Sequence, residues 1–457
     1  MEDEWSEVSL GKLFRVKHGF AFKGEYFTDE IVKTVLVTPG NFSTNGEFKN
    51  SKPKYYNGPV PDGYRLRPGQ VIVSMTDLSK ATDTLGYAVR VPEDNYEWLH
   101  NQRIGLLEFE STSVDPLFIA YLLRSNEYRS WIVGSATGTT VKHTSPKRIS
   151  AYTCRIPPLD VQRAIGSVLV AFDEKVELNR QTNETLESMA QALFKSWFVD
   201  FDPVIDNTLA AGNDIPEPFK ARAAARQALG DARKPLPEAI RREFPDTFEF
   251  RDEMGWVPQG WKIFSLDSIA EYRNGLALQK FRPADDSEYL PVLKIAQLRV
   301  DEPTHAEKAS VDIPEDYIVR DGDVVFSWSG SLILRIWCGG RAALNQHLFR
   351  VTSKQFPKWF YFGWTEAHLG EFKKAAADKA VTMGHIKRSH LKEAKCVIPT
   401  NQLMQYGTGY FAPIIDRQIA TRLESRALGS LRDTLLPKLL SGELTLPDAE
   451  KLAAEAL

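Results

Sequence analysis

The chain has 457 residues, of which 43% are hydrophobic and 26% are charged, so we expect ordinary globular cores and exclude a chain that is disordered throughout. At roughly 150 residues per domain, this length predicts about three folding units, or two with a substantial connecting element. Lysine and arginine number 57 against 60 aspartate and glutamate residues, which gives a formal charge of −3. That balance excludes a uniformly basic nucleic-acid coat, although it allows a locally basic face.

The first residues, from Met1 to Trp5, contain neither a basic stretch nor an apolar run, so we do not expect a secretory signal. No segment approaches the ~18 uninterrupted apolar residues of a membrane helix, and we expect a soluble, cytoplasmic protein with no membrane partner. Cys154, Cys338 and Cys396 are widely scattered and show no C-x-x-C spacing. They predict buried apolar thiols rather than disulfides or a zinc site.

The sequence repeats itself once. Five residues near the N-terminus recur without a gap 256 residues later (5 to 261), where Trp5, Ser9, Leu10, Gly19 and Ala21 match Trp261, Ser265, Leu266, Gly275 and Ala277. Further matches keep the same order, with 67–74 matching 320–327, 101–102 matching 345–346, and 154–157 matching 396–399. This colinearity indicates a duplicated domain rather than two unrelated ones.

The first repeat, which we place at residues 1–158, alternates short β-branched runs with turn signals. Val71–Ser74 follows a Pro-Gly pair and predicts a strand, whereas the aromatic run at 117–123 predicts a short helix packed on it. Each repeat is therefore predicted to be an α+β domain of about 150 residues.

Residues 159–200 contain no proline and carry apolar residues at three- and four-residue steps, which predicts one long central helix. At ~1.5 Å per residue, forty residues make a rod of about 60 Å. Asn179 and Asn183 interrupt the apolar stripe, as polar residues do where they fix the register of a helix pair. The stripe residues expected to pair with a partner helix are Ile165, Phe172, Val176, Leu186, Leu193 and Trp197.

The segment Asp173-Glu-Lys175 on this helix is similar to pieces of nuclease metal sites. Charged runs on a long helix are usually a solvated face, however, and that is the interpretation we favour.

Residues 201–255 are punctuated by proline and rich in alanine, and we expect a connector with a short helix or two and no active site. The second repeat, placed at 256–400, carries a strand at Val324–Ser327 after an Asp-Gly turn signal and a helical run at 359–364 that match those of the first.

After the second repeat, apolar residues recur at helical spacing from 414 to 440. They predict a second long helix within 401–445, capped at Ser441-Gly442, and a tail at 446–457. Two such stripes bury each other most simply as an antiparallel coiled coil about a pseudo-twofold axis. On this helix the expected pairing residues are Ile419, Leu423, Leu431 and Leu435.

No motif for covalent chemistry is present in the sequence. It contains no G-x-x-x-x-G-K-[ST] phosphate loop, no G-x-G-x-x-G after a strand, and no N/D-P-P-Y/F tetrapeptide of an adenine methyltransferase. His385 and His390 lack the i, i+4 spacing of a helical zinc pair. We therefore expect no catalytic, cofactor-binding or metal-binding residue on this chain.

Two stretches without acidic residues, 128–159 and 324–365, contain arginine, lysine and histidine among glycine, serine and threonine, and the segment 379–388 aligns with the first of them. Such loops place cations and backbone amides against phosphates while polar side chains reach base edges. The candidate DNA-binding residues are Lys142, His143, Lys147, Arg148, Arg335, Arg341, Lys387 and Arg388.

The order of motifs resembles the specificity subunit of type I restriction-modification systems. The similarity covers the whole chain, in the domain-opening Trp5 and Trp261 and in the segments 156–165, 192–202, 255–261 and 435–442. The second helix entrance departs from the family pattern, because Ile398-Pro-Thr-Asn replaces Ile-Pro-Pro-Leu. Its docking surface is expected to be altered.

The resemblance implies a non-catalytic subunit in which each repeat is a target-recognition domain for one half of a bipartite DNA sequence. The paired helices would hold the domains apart and dock two modification subunits, which carry S-adenosylmethionine and methylate adenine at N6. Two ATP-driven restriction and translocation subunits would complete an ATP-dependent endonuclease, so S-adenosylmethionine, ATP and magnesium are expected on the partners and no cofactor on this chain. Since the repeats diverge outside their framework, the two half-sites are expected to differ.

Two other interpretations stay open from the sequence. One is a duplicated-domain adaptor that binds proteins and has no DNA role. The other is a small-ligand or glycan binder whose site would be lined by Trp328, Trp337 and Trp364, residues that ordinary core packing also explains.

Overall fold

The computed structural model of the protein describes residues 5–43, 46–50, 52–77, 79, 82–232, 235–283, 285, 288–377 and 384–457. The chain divides into two compact units. Unit 1 takes the chain up to Leu178 together with Glu424–Leu457, and unit 2 takes Asn179–Leu423. Each long helix therefore begins in one unit and ends in the other.

Unit 1 contains a recognisable repeat of short strands followed by helices. Its strands are β1 (Ser6–Ser9), β2 (Phe14–His18), β3 (Phe27–Thr28), β4 (Thr34–Leu36), β5 (Lys54–Tyr56), β6 (Val71–Ser74), β7 (Thr76–Asp77), β8 (Ala88–Arg90), β9 (Glu97–Leu99), β10 (Ile104–Phe109), β11 (Lys142–His143) and β12 (Thr153–Ile156). Its helices are α1 (Pro116–Leu122), α2 (Asn126–Gly134), α3 (Pro146–Ser150) and the first part of α4 (Leu159–Phe194).

Two four-stranded sheets form the body of this repeat, in the orders β2-β10-β6-β8 and β3-β5-β4-β9. Alternating side chains of β6 divide between two cores, because Val71 and Val73 face the helices whereas Ile72 faces the second sheet. The central strand is thus buried on both faces, as its unbroken apolar sequence requires.

The connector and the second repeat supply the remaining elements. The connector holds α5 (Asp202–Ala211), α6 (Lys220–Ala228), α7 (Glu238–Arg241), β13 (Phe248–Arg251) and β14 (Gly255–Pro258). The second repeat holds β15 (Lys262–Ser265), α8 (Leu266–Ile269), β16 (Glu271–Asn274), β17 (Leu290–Leu293), α9 (Ile295–Val300), β18 (Lys308–Ala309), β19 (Ile318–Val319), β20 (Val324–Ser327), β21 (Leu334–Ile336), β22 (Ala342–Leu344), β23 (Leu348–Thr352), α10 (Lys358–Ala367), α11 (Leu369–Ala377), α12 (Arg388–Glu393) and β24 (Lys395–Ile398). The chain ends with α13 (Asn401–Ser441) and α14 (Leu446–Ala456).

The second repeat copies the main sheet of the first, since β16-β23-β20-β21 is antiparallel throughout, as is β2-β10-β6-β8. The second sheet, β18-β17-β22-β19, shares a core of three strands with its counterpart, because an antiparallel pair and a parallel pair meet at β17 as they do at β4. The fourth strand differs, because β3 pairs with β5 in unit 1 whereas β19 pairs with β22 in unit 2. The opening strand also pairs in the same register, Ser6 with Ile156 in unit 1 and Lys262 with Ile398 in unit 2. The predicted α+β fold with two repeated domains and two long helices is confirmed.

A close contact between a glycine and an asparagine in the first repeat recurs between the matching two residues in the second. A Cβ on Gly19 would lie 2.0 Å from the carbonyl oxygen of Asn101, and a Cβ on Gly275 would lie 2.3 Å from that of Asn345. Only glycine permits this approach of two backbones.

Gly275→Ala should therefore lower the free energy of unfolding by about 1–3 kcal/mol, because the new methyl group must displace backbone. Gly409→Ala is the matched control, since Gly409 lies within α13 with nothing within 4 Å of its added Cβ. There the substitution should stabilise by up to about 1 kcal/mol through helix propensity. Urea unfolding of both variants checks the pair, and equal effects would refute the explanation.

In unit 2 the two long helices pack antiparallel. Thr421 donates a 2.9 Å hydrogen bond from its hydroxyl to Asn183 Oδ1, and further along the ring of Phe194 lies 6.1 Å from that of Phe411. Asn183 and Thr421 are buried, so the predicted polar interruption of the stripe forms a hydrogen-bonded layer between the helices.

In unit 1 the helices are joined by a buried ion cluster centred on Asp173 of α4. Tyr121 Oη donates to its carboxylate at 2.7 Å and Arg124 Nη1 at 3.1 Å, while Arg432 of α13 donates to its second oxygen. Arg432 is only 5% exposed. The prediction of a solvated face was wrong for Asp173, because partners distant in sequence cover this part of the helix.

The connector is a packed part of unit 2. Val204, Ile240, Phe244 and Val257 join the core of the second repeat, and Asn207 Nδ2 donates to two backbone carbonyls at 2.9 and 2.8 Å. It contains three short helices and a hairpin where a short helix or two was expected. The segment interpreted as a tail forms α14, whose buried Ala449 and Ala453 pack into the core of unit 1.

Candidate nucleic-acid interface

In unit 1 the basic loop is attached to the end of the central strand. After β6 the chain continues into β7, where Thr76 pairs with His143 and Asp77 with Lys142. Thr144 N donates to the carbonyl of Met75 at 3.0 Å. These contacts fix the loop to the residues that directly follow β6, at the end of this strand of the main sheet.

The same attachment recurs in unit 2. Ser329 bridges His385, Ile386 N donates to the carbonyl of Trp328 at 2.9 Å, and Gly330 N donates to that of Gly384 at 2.8 Å. Ser329 follows β20 as Thr76 follows β6. Residues 378–383 lie outside the described residues, so only 384–388 of the predicted segment 379–388 can be compared with the loop of unit 1.

Each loop carries an exposed histidine at the equivalent place, His143 or His385. His143 Nδ1 lies 3.2 Å from the hydroxyl of the buried Thr76, which fixes the orientation of the ring. In unit 2 the corresponding hydroxyl, on Ser329, lies 3.0 Å from Nδ1 of His347 instead. The two sites share a backbone frame and differ in their polar side chains.

Asp77 holds the first loop in place. Burial raises the pKa of its carboxyl, but hydrogen bonds from the backbone and hydroxyl groups of Ser79 and Thr84 outweigh burial and hold that pKa below its usual range. Ser79 N and Thr84 N both lie 2.6 Å from the carboxylate oxygens. The buried carboxylate of Asp77 therefore anchors the segment between β7 and β8 beside the basic loop, while its backbone pairs with Lys142.

Comparison with known proteins gives the family. A family model described as the type I restriction modification DNA specificity domain matches residues 2–188 and 258–424. The chain belongs to this family of specificity subunits.

Similar proteins cover the whole chain. A type I restriction enzyme HindI specificity subunit of Haemophilus influenzae is 25% identical over 470 residues, with 96% of this chain and all of the relative aligned. The EcoBI specificity subunit of Escherichia coli is 22% identical and covers 97% of this chain and 87% of its own. The crystal structure of an S subunit from M. genitalium matches the fold with a TM-score of 0.50 at 15% identity, over 95% and 96% of the two chains.

Four of the other predicted DNA-binding residues of this specificity subunit lie beside the two loops. Lys147 and Arg148 lie on α3, which Ser145 caps by accepting from Arg148 N at 3.4 Å. Lys387 is exposed at the start of α12, and Arg388 donates to the carbonyl of Tyr272 at 3.3 Å.

Arg335 and Arg341 are not brought together with these loops. Arg335 lies on β21 and lines a cavity with residues of the long helices, whereas Arg341 is exposed just before β22. Arg129, from the same acid-free stretch as His143, points inward and donates to the carbonyls of Thr82 and Asp83.

The predicted pairing residues are all buried or partly buried. Four of them are buried, namely Ile165, Phe172, Trp197 and Leu435. The other six are partly buried, namely Val176, Leu186, Leu193, Ile419, Leu423 and Leu431.

Sequence reasoning missed Thr76, Ser329, Asp77 and the pair Trp328–Asn274, whose indole Nε1 and side-chain oxygen lie 2.8 Å apart. The sequence repeat could have located them, because the matched segments 67–74 and 320–327 end directly before Met75 and Trp328, and the missed residues follow there. Trp328, Trp337 and Trp364 do not line a ligand site together, since Trp337 and Trp364 are buried in the cores.

Within the part of the chain that the structure describes, no group of three or more histidine, cysteine, aspartate or glutamate side chains is arranged to hold a metal ion. Over the same residues, no helix has the length and apolar character to cross a membrane. Cys338 and Cys396 are buried and Cys154 is partly buried, and none of the three forms a disulfide.

Proposed function

We propose that this specificity subunit reads a bipartite, asymmetric DNA sequence, with the loop of each repeat contacting one half-site. The observation that carries the proposal is the recurrence of one backbone frame, Thr76 with His143 and Ser329 with His385, under different side chains. A shared frame with divergent polar groups is what two readers of unlike sequences require.

Within each loop, the exposed imidazole of His143 or His385 would reach base edges. The flanking cations on α3 and α12 would contact phosphates, which fix the register of the protein on the duplex without carrying sequence information. Half-sites about one helical turn, ~34 Å, apart would face the same side of the duplex.

The chain itself would perform no covalent step. Two modification subunits would dock on the long helices and supply S-adenosylmethionine for adenine methylation, and two restriction subunits would supply ATP- and magnesium-dependent translocation. Support comes from the names of the similar proteins, which are specificity subunits of type I restriction enzymes.

Methylation-sensitive sequencing of host DNA, with and without the gene for this chain, tests the proposal. We expect one methyladenine motif with two unlike halves and an unspecified spacer, present only with the gene. A palindromic motif or footprint would overturn the asymmetric assignment.

A gel shift separates DNA recognition from a protein adaptor. The chain, co-expressed with a methyltransferase subunit, should retain DNA that contains the motif and release it as salt rises, because phosphate contacts displace counterions. Retention of no DNA, with or without the methyltransferase, would refute a DNA role.

A further inference from the structure

The ion cluster of unit 1 has a counterpart in unit 2 that can be located residue by residue. Ile156 and Ile398 occupy the same register, 242 residues apart (156 to 398). The same spacing relates the helix contacts, since Gly166 lies against Leu117, and Trp359 Nε1 donates to Thr408 at 3.0 Å. Positions in the two units can therefore be paired by adding 242, or by subtracting 242 for the part of α13 that belongs to unit 1.

At this spacing, every charged or phenolic member of the cluster is replaced. Tyr121, Arg124, Asp173 and Arg432 correspond to Gly363, Glu366, Ile415 and Ala190. Two guanidinium groups and a phenol are thus absent from the second copy. A carboxyl group stands where Arg124 stands in the first.

A cavity of about 320 Å³ lies at this place, and all four replacement residues line it. Its size is at the lower end of the ~300–1,000 Å³ range of small-molecule sites. Its apolar wall includes the rings of Phe194, Trp359, Phe362 and Phe411. The faces of such rings attract cations.

The carboxyl group of Glu366 lies in the wall of this cavity, and among the described residues it forms no ion pair. Burial and the negative charge of Glu187 raise the pKa of Glu366 to about 7, opposed by a hydrogen bond from Gln191. Gln191 Nε2 lies 2.8 Å from Glu366 Oε1 and 3.5 Å from Glu187 Oε1, so one amide serves both carboxyl groups.

Three cations also line the cavity, and each is directed elsewhere or lies apart from the carboxyl group. Lys195 pairs with Asp200, and Arg422 donates to the carbonyl of Ile336 at 3.0 Å. The positive charge of Arg335 opposes the rise that burial causes in the pKa of Asp301.

We propose that this cavity binds a small organic cation, an ammonium or guanidinium group carried on a short apolar or aromatic body. The cation would lie against the carboxyl group of Glu366, where the first copy has its own guanidinium groups, and the body would lie against the aromatic wall. This site is independent of the loops assigned to DNA.

Benzylammonium and its neutral isostere benzyl alcohol are suitable probes of the full-length chain. Ligand-detected NMR titration at pH 8, where Glu366 is ionised, should give a dissociation constant at least about 10-fold lower for the cation. The ratio should fall toward one at pH 6, because Glu366 then takes up a proton while the two probes keep their charges. Glu187, Lys195, Arg335 and Arg422 are the other charged groups that face this carboxyl group across the cavity.

Two variants make the test specific. Glu366→Gln should remove the preference for the cation while it keeps the weak binding of the alcohol, and Ala190→Leu should weaken both probes by filling space. Glu302→Gln, at an exposed position of the same unit, should change neither. Equal binding of the two probes at pH 8, no binding of either, or an unchanged preference in Glu366→Gln would each overturn the proposal.

Discussion

Asp173→Asn is expected to lower the free energy of unfolding of unit 1 by about 3 kcal/mol, because the buried guanidinium of Arg432 then keeps only the exposed Asp433 as a charged partner. The carboxylate of Asp173 accepts from Tyr121, Arg124 and Arg432 at once, and Arg432 is almost fully buried. Urea denaturation at pH 7 measures the loss, with the fluorescence of the tyrosine and tryptophan residues of unit 1 as the signal.

Glu184→Gln is the matched control on the same helix. Glu184 pairs with Arg180, but its side chain is 65% exposed, and such surface pairs contribute about 0–1 kcal/mol. A loss as large as that of Asp173→Asn would show that any acidic residue on α4 matters equally, which contradicts the special role of the cluster.

The effect of Asp173→Asn should also depend on pH. Burial raises the pKa of Asp173, but the charges of Arg124 and Arg432 and hydrogen bonds from Tyr121 and Arg432 outweigh burial and lower it. A carboxyl group with a lowered folded-state pKa contributes stability that is fully present above its unfolded value of about 3.9 and is lost as pH falls toward the folded value. The difference between the two proteins should therefore be constant from neutral pH to about pH 5 and shrink in stronger acid.

His143→Ala and Lys147→Ala should have effects of different kinds on DNA binding. Loss of a base-reading imidazole should cost about 1–3 kcal/mol on the cognate sequence and relax the preference at one position of one half-site. Loss of a phosphate contact should weaken all sequences alike and reduce the salt slope by about one. Competition gel shifts with cognate and single-substituted duplexes, at several salt concentrations, separate the two outcomes.

The second repeat supplies the control for this pair. His385→Ala should relax the other half-site and leave the first unchanged, and Lys438→Ala, at an exposed position near the end of α13, should change neither specificity nor salt slope. Relaxation of both half-sites by one histidine substitution would contradict the assignment of one loop to each half-site.

The duplicated fold could be predicted because its framework is recorded in local patterns. Gly19 and Asn101 match Gly275 and Asn345 in sequence, and each glycine proves to lie against its asparagine. The two long helices could be predicted because packing against a single partner helix requires apolar residues at a helical period, which the sequence shows. Both signals are local or strictly repeated, so one sequence suffices to read them.

What could not be predicted depends on partners distant in the chain. Asp173 looked solvated because Arg124 and Arg432, 49 and 259 residues away, cannot be paired with it from periodicity. A π-helical turn at Lys195–Val199 follows α4 and buries Trp197 and Phe198, and the apolar spacing of the sequence does not show this change of helix type. Arg335 was grouped with the basic loops by composition alone, and tertiary structure places it at the cavity instead.

The division of the chain also fixes the order in which its parts can be completed during synthesis. Unit 2 is continuous from Asn179 to Leu423, whereas unit 1 needs Glu424–Leu457, which are translated after all of unit 2. Until then Phe172 and Ile165 lack Leu435 and Leu439 of α13, with which they share a core. The repeat that is translated first is therefore completed after the second one, and a stop codon within 424–457 damages the first repeat rather than the second.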